Sequence, residues 1–162
     1  YQKVIQGCAE LGQGDRAAQL RDEQAKLLLP ADVSKYADHY YKFFPEVLTW
    51  HEAVNRCTAM GGHLAIITDE AEHDFTVGLV KAAGRDAAWL GATDELTEGT
   101  WVWGDGTPMV YSHWGNDRRE KANVPRTSGD DYLLLWVAWG KNWHDYPDTA
   151  VGREPGFVCE WE

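Results

Sequence analysis

Basic residues are scarce in this chain of 162 residues: 15 Lys and Arg stand against 26 Asp and Glu, a formal charge of −11. That balance excludes general nucleic-acid binding, which needs a basic footprint. No run of about 18 apolar residues occurs, so no segment reads as a transmembrane helix. Gly-x-Ser-x-Gly, His-Glu-x-x-His and a phosphate-binding glycine loop are all missing. Paired acids such as Asp130-Asp131 are common without forming a glycosidase dyad, so the chain is expected to bind rather than catalyse. Cysteine is limited to Cys8, Cys57 and Cys159. The chain opens at Tyr1 with neither initiator Met nor signal peptide, and is expected to be part of a longer protein with upstream domains.

What is present is apolar and aromatic. The composition, 44% hydrophobic and 25% charged, is that of a globular chain. Nine Trp supply both core and binding-surface material, since large aromatics dominate burial and are enriched at interfaces. Residues 1–30 read as a helical hairpin, with Val4, Ile5, Cys8 and Leu11 on one stripe and Ala17, Leu20, Leu27 and Leu28 on another. It serves as a spacer or stalk, or binds a partner; Cys8 is a buried thiol or an interchain bridge. Residues 31–39 form a linker. Tyr40–Phe44 is β-prone. Thr49 opens a helix, with Glu52 completing a capping box and Trp50, Ala53, Val54 and Cys57 on one face. Thr68 caps a second helix with a core stripe of Phe75, Leu79 and Ala82. Strands are expected at 64–67, 88–92, 100–103, 132–139, 142–145 and 157–161. The stretch 112–131 has little periodicity, and a loop of that length is usually functional.

Six short motifs stand in a set order: Trp50 to Cys57, Gly61-Gly62-His63-Leu64-Ala65, Trp89-Leu90-Gly91-Ala92-Thr93-Asp94, Glu98 to Gly106, Trp143-His144-Asp145 and Gly156 to Glu162. Together they resemble the C-type lectin-like domain family over residues 40–162. The resemblance implies an α+β fold, two helices flanking antiparallel sheets, with the long loop as ligand-binding loop. It implies a long-range disulfide between Cys57 and Cys159, and hence an extracytoplasmic location: periplasmic, cell-surface or secreted. Tyr132 and Asp148 stand where a second family disulfide is expected, a pattern closer to bacterial members than to animal ones.

The same resemblance directs attention to calcium, which takes six to eight oxygen ligands. Sugar-binding members hold the ion with Glu-Pro-Asn or Gln-Pro-Asp, a later acid and Trp-Asn-Asp. Here those positions read Val124-Pro125-Arg126, Asp130 and Trp143-His144-Asp145. Val124 has no side-chain oxygen, Arg126 is cationic, and imidazole suits a hard cation poorly. The usual calcium-bridged sugar site is therefore expected to be degraded, unless Glu120 and Asn123 substitute. Asp94, Glu98, Asp130 and Asp131 match the family's auxiliary calcium site; the alternative is that they cap turns and pair with loop cations. Arg118, Arg119, Lys121 and Arg126 could select an anionic ligand or fold back on neighbouring acids. Zinc at His113, His144 and Asp145 lacks the tight ligand spacing that would support it.

The leading expectation is a non-catalytic carbohydrate-binding module with Trp114, Arg118, Arg119, Arg126, Trp143, His144 and Asp145 at its ligand face. The alternatives are a protein-binding or structural adhesion module without sugar, and a loop-diversified receptor.

Overall fold

The computed structural model describes residues 29–115, 129–138, 140–149 and 154–162. The expected helical hairpin, Cys8 and the four basic loop residues lie outside the described residues. The chain divides into two units, Tyr1–Ala31 and Asp32–Glu162; all that follows concerns the second.

Its elements are β1 (Ser34–Tyr36), β2 (His39–Phe44), α1 (Trp50–Ala59), β3 (His63–Leu64), α2 (Glu70–Ala82), β4 (Ala87–Thr93), β5 (Val102–Trp103), β6 (Tyr132–Trp136), β7 (Asn142–Tyr146) and β8 (Gly156–Trp161). The strands form one eight-stranded sheet in the order β1-β2-β8-β4-β6-β7, with β3 beside β8 and β5 beside β4. The expected purely antiparallel arrangement is corrected at its centre. β4 and β8 run parallel, with Ala88 opposite Gly156 and Trp89 opposite Phe157. The fold is α+β with a mixed sheet. The segment expected as a linker also contains β1, which takes its regularity from pairing Ser34 to Tyr36 against Tyr41 to His39.

Helix α1 starts as its sequence dictates. The Thr49 hydroxyl accepts from Glu52 N–H at 3.2 Å, and the Glu52 carboxylate accepts from Thr49 N–H at 2.9 Å, so two orphan donors are satisfied reciprocally. Trp50, Ala53 and Cys57 are its buried face, and the Trp50 indole donates to the Leu90 carbonyl at 2.8 Å. Helix α2 departs from expectation in two ways. Its cap is Asp69, whose carboxylate accepts from Glu72 N–H at 2.9 Å, while Thr68 donates its own N–H and hydroxyl to Glu72. Its buried residues are Glu72, His73, Thr76, Val77 and Val80, whereas Phe75 and Leu79 only flank the core. The helix is rotated toward polar partners on β2 and β7, Tyr41 for Glu72 and Trp143 for His73, and no apolar periodicity could announce that.

The core lies between the sheet and the helices, around Tyr41, Ile67, Val80, Leu90, Trp103, Leu133, Leu135 and Val158. Strand β6 is buried along its whole length. Burial of Leu133, Leu134 and Leu135 contributes about 1.5–3 kcal/mol each. β6 ends at Trp136, short of the expected 139. Gly140 and Lys141 take positive φ of 81° and 63°, which turns the chain back so that Asn142 pairs with Trp136. This hairpin places β7 beside the base of the long loop.

Candidate functional site

The loop is rooted by residues 111–115, and β7 holds that root. Trp143 N–H donates to the His113 carbonyl at 2.8 Å, and Gly115 N–H donates to the Trp143 carbonyl at 3.3 Å. Trp143 is fully buried, with Trp103, Tyr111 and Trp114 set edge-on around it. Its indole N–H donates to His73 Nδ1 at 3.1 Å, which fixes the His73 proton on Nε2. His73 stacks on His113 at 4.0 Å. Glu70 closes the group, accepting from the Tyr111 hydroxyl at 2.7 Å and lying 3.3 Å from His113 Nδ1. Burial, and then the neighbouring His113, push His73 down to about 4, so its ring is neutral where it meets Trp143.

These contacts redistribute the expected ligand-face residues. Trp114 is half-buried at the root, edge-on to Trp101 at 5.0 Å. Trp143 is a core residue and His144 is buried between Trp136 and Tyr146. As the structure stands, neither ring presents a face to a glycan. Asp145 is half-buried on β7. Arg118, Arg119 and Arg126 fall outside the described residues.

The second part of the site is the acid group after β4. Asp94 N–H donates to the Asp131 carbonyl at 3.2 Å, and Gly99 N–H donates to Asp94 Oδ2 at 2.8 Å. Asp94 is 5% exposed, and its Oδ1 is buried without a hydrogen-bond partner among the described residues. Burial pushes its carboxyl up to about 6, against the Gly99 N–H and with help from the Glu98 and Asp131 charges. Asp131 is raised as well, by burial and by Glu98, Glu95 and Asp130. An orphaned buried oxygen among like charges fits a cation. No three of these acids bring ligand atoms within 4.8 Å of one another, however.

Among the described residues, only His39, Glu72 and Glu160 bring three metal-capable atoms within 4.8 Å of one another. His39 Nδ1 lies 2.5 Å from Glu160, and the Tyr41 hydroxyl donates to both Glu72 and Glu160. Ile66 N–H donates to Glu160 Oε2 at 2.8 Å. This cluster was not foreseen from the sequence, because its members come from β2, α2 and β8. Its carboxylates are well supplied with donors, so it reads first as a polar clasp joining three elements. His113, His144 and Asp145, considered for zinc, do not form such a group.

Cys57 and Cys159 are fully buried and are free thiols, not the expected bridge. They lie side by side: hydrogen bonding to Cys159, then burial, raises the Cys57 thiol far above its usual range.

Residues 46–160 match the family model described as the Lectin C-type domain. A perlucin-like protein of Mytilus galloprovincialis is 32% identical over 133 residues, covering 80% of this chain and 81% of that protein. The C-type lectin domain family 4 member F of Rattus norvegicus is 38% identical over 93 residues, but the match spans 57% of this chain and only 16% of that longer protein. Among solved structures, the mouse scavenger receptor C-type lectin carbohydrate-recognition domain superposes with a TM-score of 0.69 at 26% identity, covering 82% of this chain and 95% of that one. A Ca2+-dependent type II antifreeze protein in its Ca2+-free form gives 0.70 at 28% identity, covering 82% and 99%. These relatives include animal proteins, and the expected likeness to bacterial members finds no support in them.

Proposed function

Because this chain belongs to the C-type lectin domain family, which is non-catalytic, we propose that it is a carbohydrate-recognition module working through the 112–131 loop. The match of residues 46–160 to the lectin domain model carries this reading. With Trp143 and His144 buried, this reading rests the contact on Trp114, Asp145, Arg118, Arg119 and Arg126. The arginines favour glycans bearing sulfate or carboxylate, which guanidinium groups bind in bidentate fashion. The usual calcium-bridged sugar contact is degraded in this reading. Val124, Arg126 and His144 replace oxygen donors, and the buried His144 offers no substitute.

Calcium retains a structural role in this proposal. Asp94, Glu98, Asp130 and Asp131 would hold it, with Asp94 Oδ1 as the oxygen already desolvated for the purpose. The ion would supply positive charge that draws the acids together and orders the loop root. Cys57 and Cys159 would close as a disulfide in an oxidising compartment, consistent with an extracytoplasmic protein; their adjacent burial supports this. No helix among the described residues is long and apolar enough to cross a membrane.

A glycan array probed with wild type, with Arg118→Ala and with Arg126→Ala tests the reading. Signal on sulfated or uronic glycans that falls at least about tenfold in either variant supports it. Silence on every glycan overturns it. A non-glycan alternative, a protein-binding or structural module, draws on the likeness to an antifreeze protein, which places this fold in a protein named for a different activity.

A further inference from the structure

A surface cavity of about 450 Å3 opens between α1, β3 and the β4–β5 turn, and none of the expected ligand-face residues lines it. Its walls are apolar: Trp50 and Val54 from α1, Leu64 and Ile66 from β3 and beyond, Leu96 from the turn, and Trp103 from β5. A smaller cavity of about 140 Å3 shares Ile66 and Trp103 with it and is bordered by Val110. Three large hydrophobic side chains stand exposed among the described residues, Val47, Leu96 and Val110. Two of them border these cavities, so the apolar surface is concentrated there rather than scattered.

The polar groups of the larger cavity lie on its lining beside this apolar surface. Glu95 and Asp105 are exposed. Asp105 is held below the usual carboxylate range by bonds from the Thr107 hydroxyl and N–H. Two imidazoles stand near these acids: His51 Nε2 lies 3.5 Å from one oxygen of Glu95, and His63 lines the cavity with its Nδ1 2.9 Å from the Leu64 carbonyl. Donors that could read a sugar are poorly placed, since the Trp50 indole is committed to Leu90. Volume and lining match a small-molecule site, which is typically 300–1,000 Å3 and mostly apolar with a few polar groups.

We propose that this cavity is a second ligand site, separate from the long loop, which takes a small amphiphile with an aromatic or branched apolar body and a cationic amine. The apolar body lies between Trp50, Ile66 and Trp103, and the amine faces Glu95 and Asp105. The site does not depend on the carbohydrate reading.

The test is an NMR titration of the full chain at neutral pH with 4-phenylbutylamine and, separately, 4-phenylbutyrate, which has a similar body and opposite charge. The amine is expected to move the amide resonances of Leu96 and Val102 to Gly106 and to bind about tenfold more tightly than the carboxylate, as two partly exposed ion pairs allow. Asp105→Asn should narrow that difference, while Thr107 keeps an oxygen to bond. Two variants fill the cavity: Gly104→Leu, where an added Cβ meets only Gly91 O at 3.6 Å, and Thr58→Trp on the exposed side of α1. Either should abolish the shifts, and the Thr58 variant carries the test if the Gly104 variant fails to fold. Equal affinity for amine and carboxylate, shifts centred elsewhere, binding unchanged in a folded filling variant, or no shift at about 5 mM amine would each overturn the proposal.

Discussion

Asp94→Asn is expected to act in opposite directions with and without calcium. Burial and the Glu98 and Asp131 charges raise the Asp94 carboxyl from 3.8 to about 6. An acid raised on folding favours the native state while protonated, and that advantage is lost as pH rises from about 4 through about 6. At pH 7.5 the buried charge therefore costs the apo protein about 1–3 kcal/mol. Asparagine removes the charge and keeps an oxygen for the Gly99 N–H that now bonds Oδ2. In chelator, urea unfolding should find the variant more stable than wild type by that amount. In calcium, wild type should gain RT ln(1 + [L]/Kd), about 2.7 kcal/mol at a hundredfold excess over Kd, and the variant should gain little. The two stability orders then cross. A variant less stable than wild type in chelator would refute the electrostatic argument. A variant that gains as much from calcium as wild type does would refute the assignment of Asp94 as a ligand.

The remaining predictions concern pH, packing and the cysteines. His73 is lowered from 6.5 to about 4, so the unfolded chain binds a proton that the fold refuses. The His73 contribution to stability should fall as pH drops from about 6.5 to 4, by at most about 1.4 kcal/mol per unit, against the opposite contribution of Asp94; the His73→Gln slope should differ from wild type by that amount, and identical slopes in denaturant titrations would contradict this. At Gly62 an added Cβ would lie 2.5 Å from Glu160 O and 2.8 Å from the Trp161 indole nitrogen, so Gly62→Ala should lose about 1–3 kcal/mol. Gly78→Ala, on α2 with nothing within 4 Å, should gain about 0.5–1 kcal/mol by calorimetry. Purification under oxidising conditions should close Cys57 and Cys159. The bridge should raise stability by about 2–5 kcal/mol relative to reductant, with thiol counts and melts as readouts.

Local chemistry was legible in the sequence and long-range polar chemistry was not. The Thr49–Glu52 capping box, the buried Trp50–Cys57 face and the run from Tyr132 follow from residues close in sequence. The resemblance, carried by motifs in a fixed order, pointed to the fold. β1 escaped notice because Ser34–Tyr36 has no pattern of its own and is made a strand by β2. The buried face of α2 has no apolar period because it includes Glu72, His73 and Thr76; the partners of Glu72 and His73 are Tyr41 on β2 and Trp143 on β7. Trp143 and His144 were placed on the ligand face because their motif sits there in sugar-binding relatives. β7 instead turns Trp143 into the core against His73, Trp103 and Tyr111, and buries His144 beside Trp136.

The central claim is that this chain recognises a glycan through its long loop, and competition binding on immobilised sulfated glycan tests it most directly. Wild type should keep binding in chelator, weakened only as far as the loop root loses its ion, because no calcium bridges the sugar in this account. Binding should weaken with salt, as an ionic contact requires, and fall at least about tenfold in Arg118→Ala or Arg126→Ala. Binding that vanishes in chelator while both arginine variants bind like wild type would contradict the account and restore an intact calcium-bridged site.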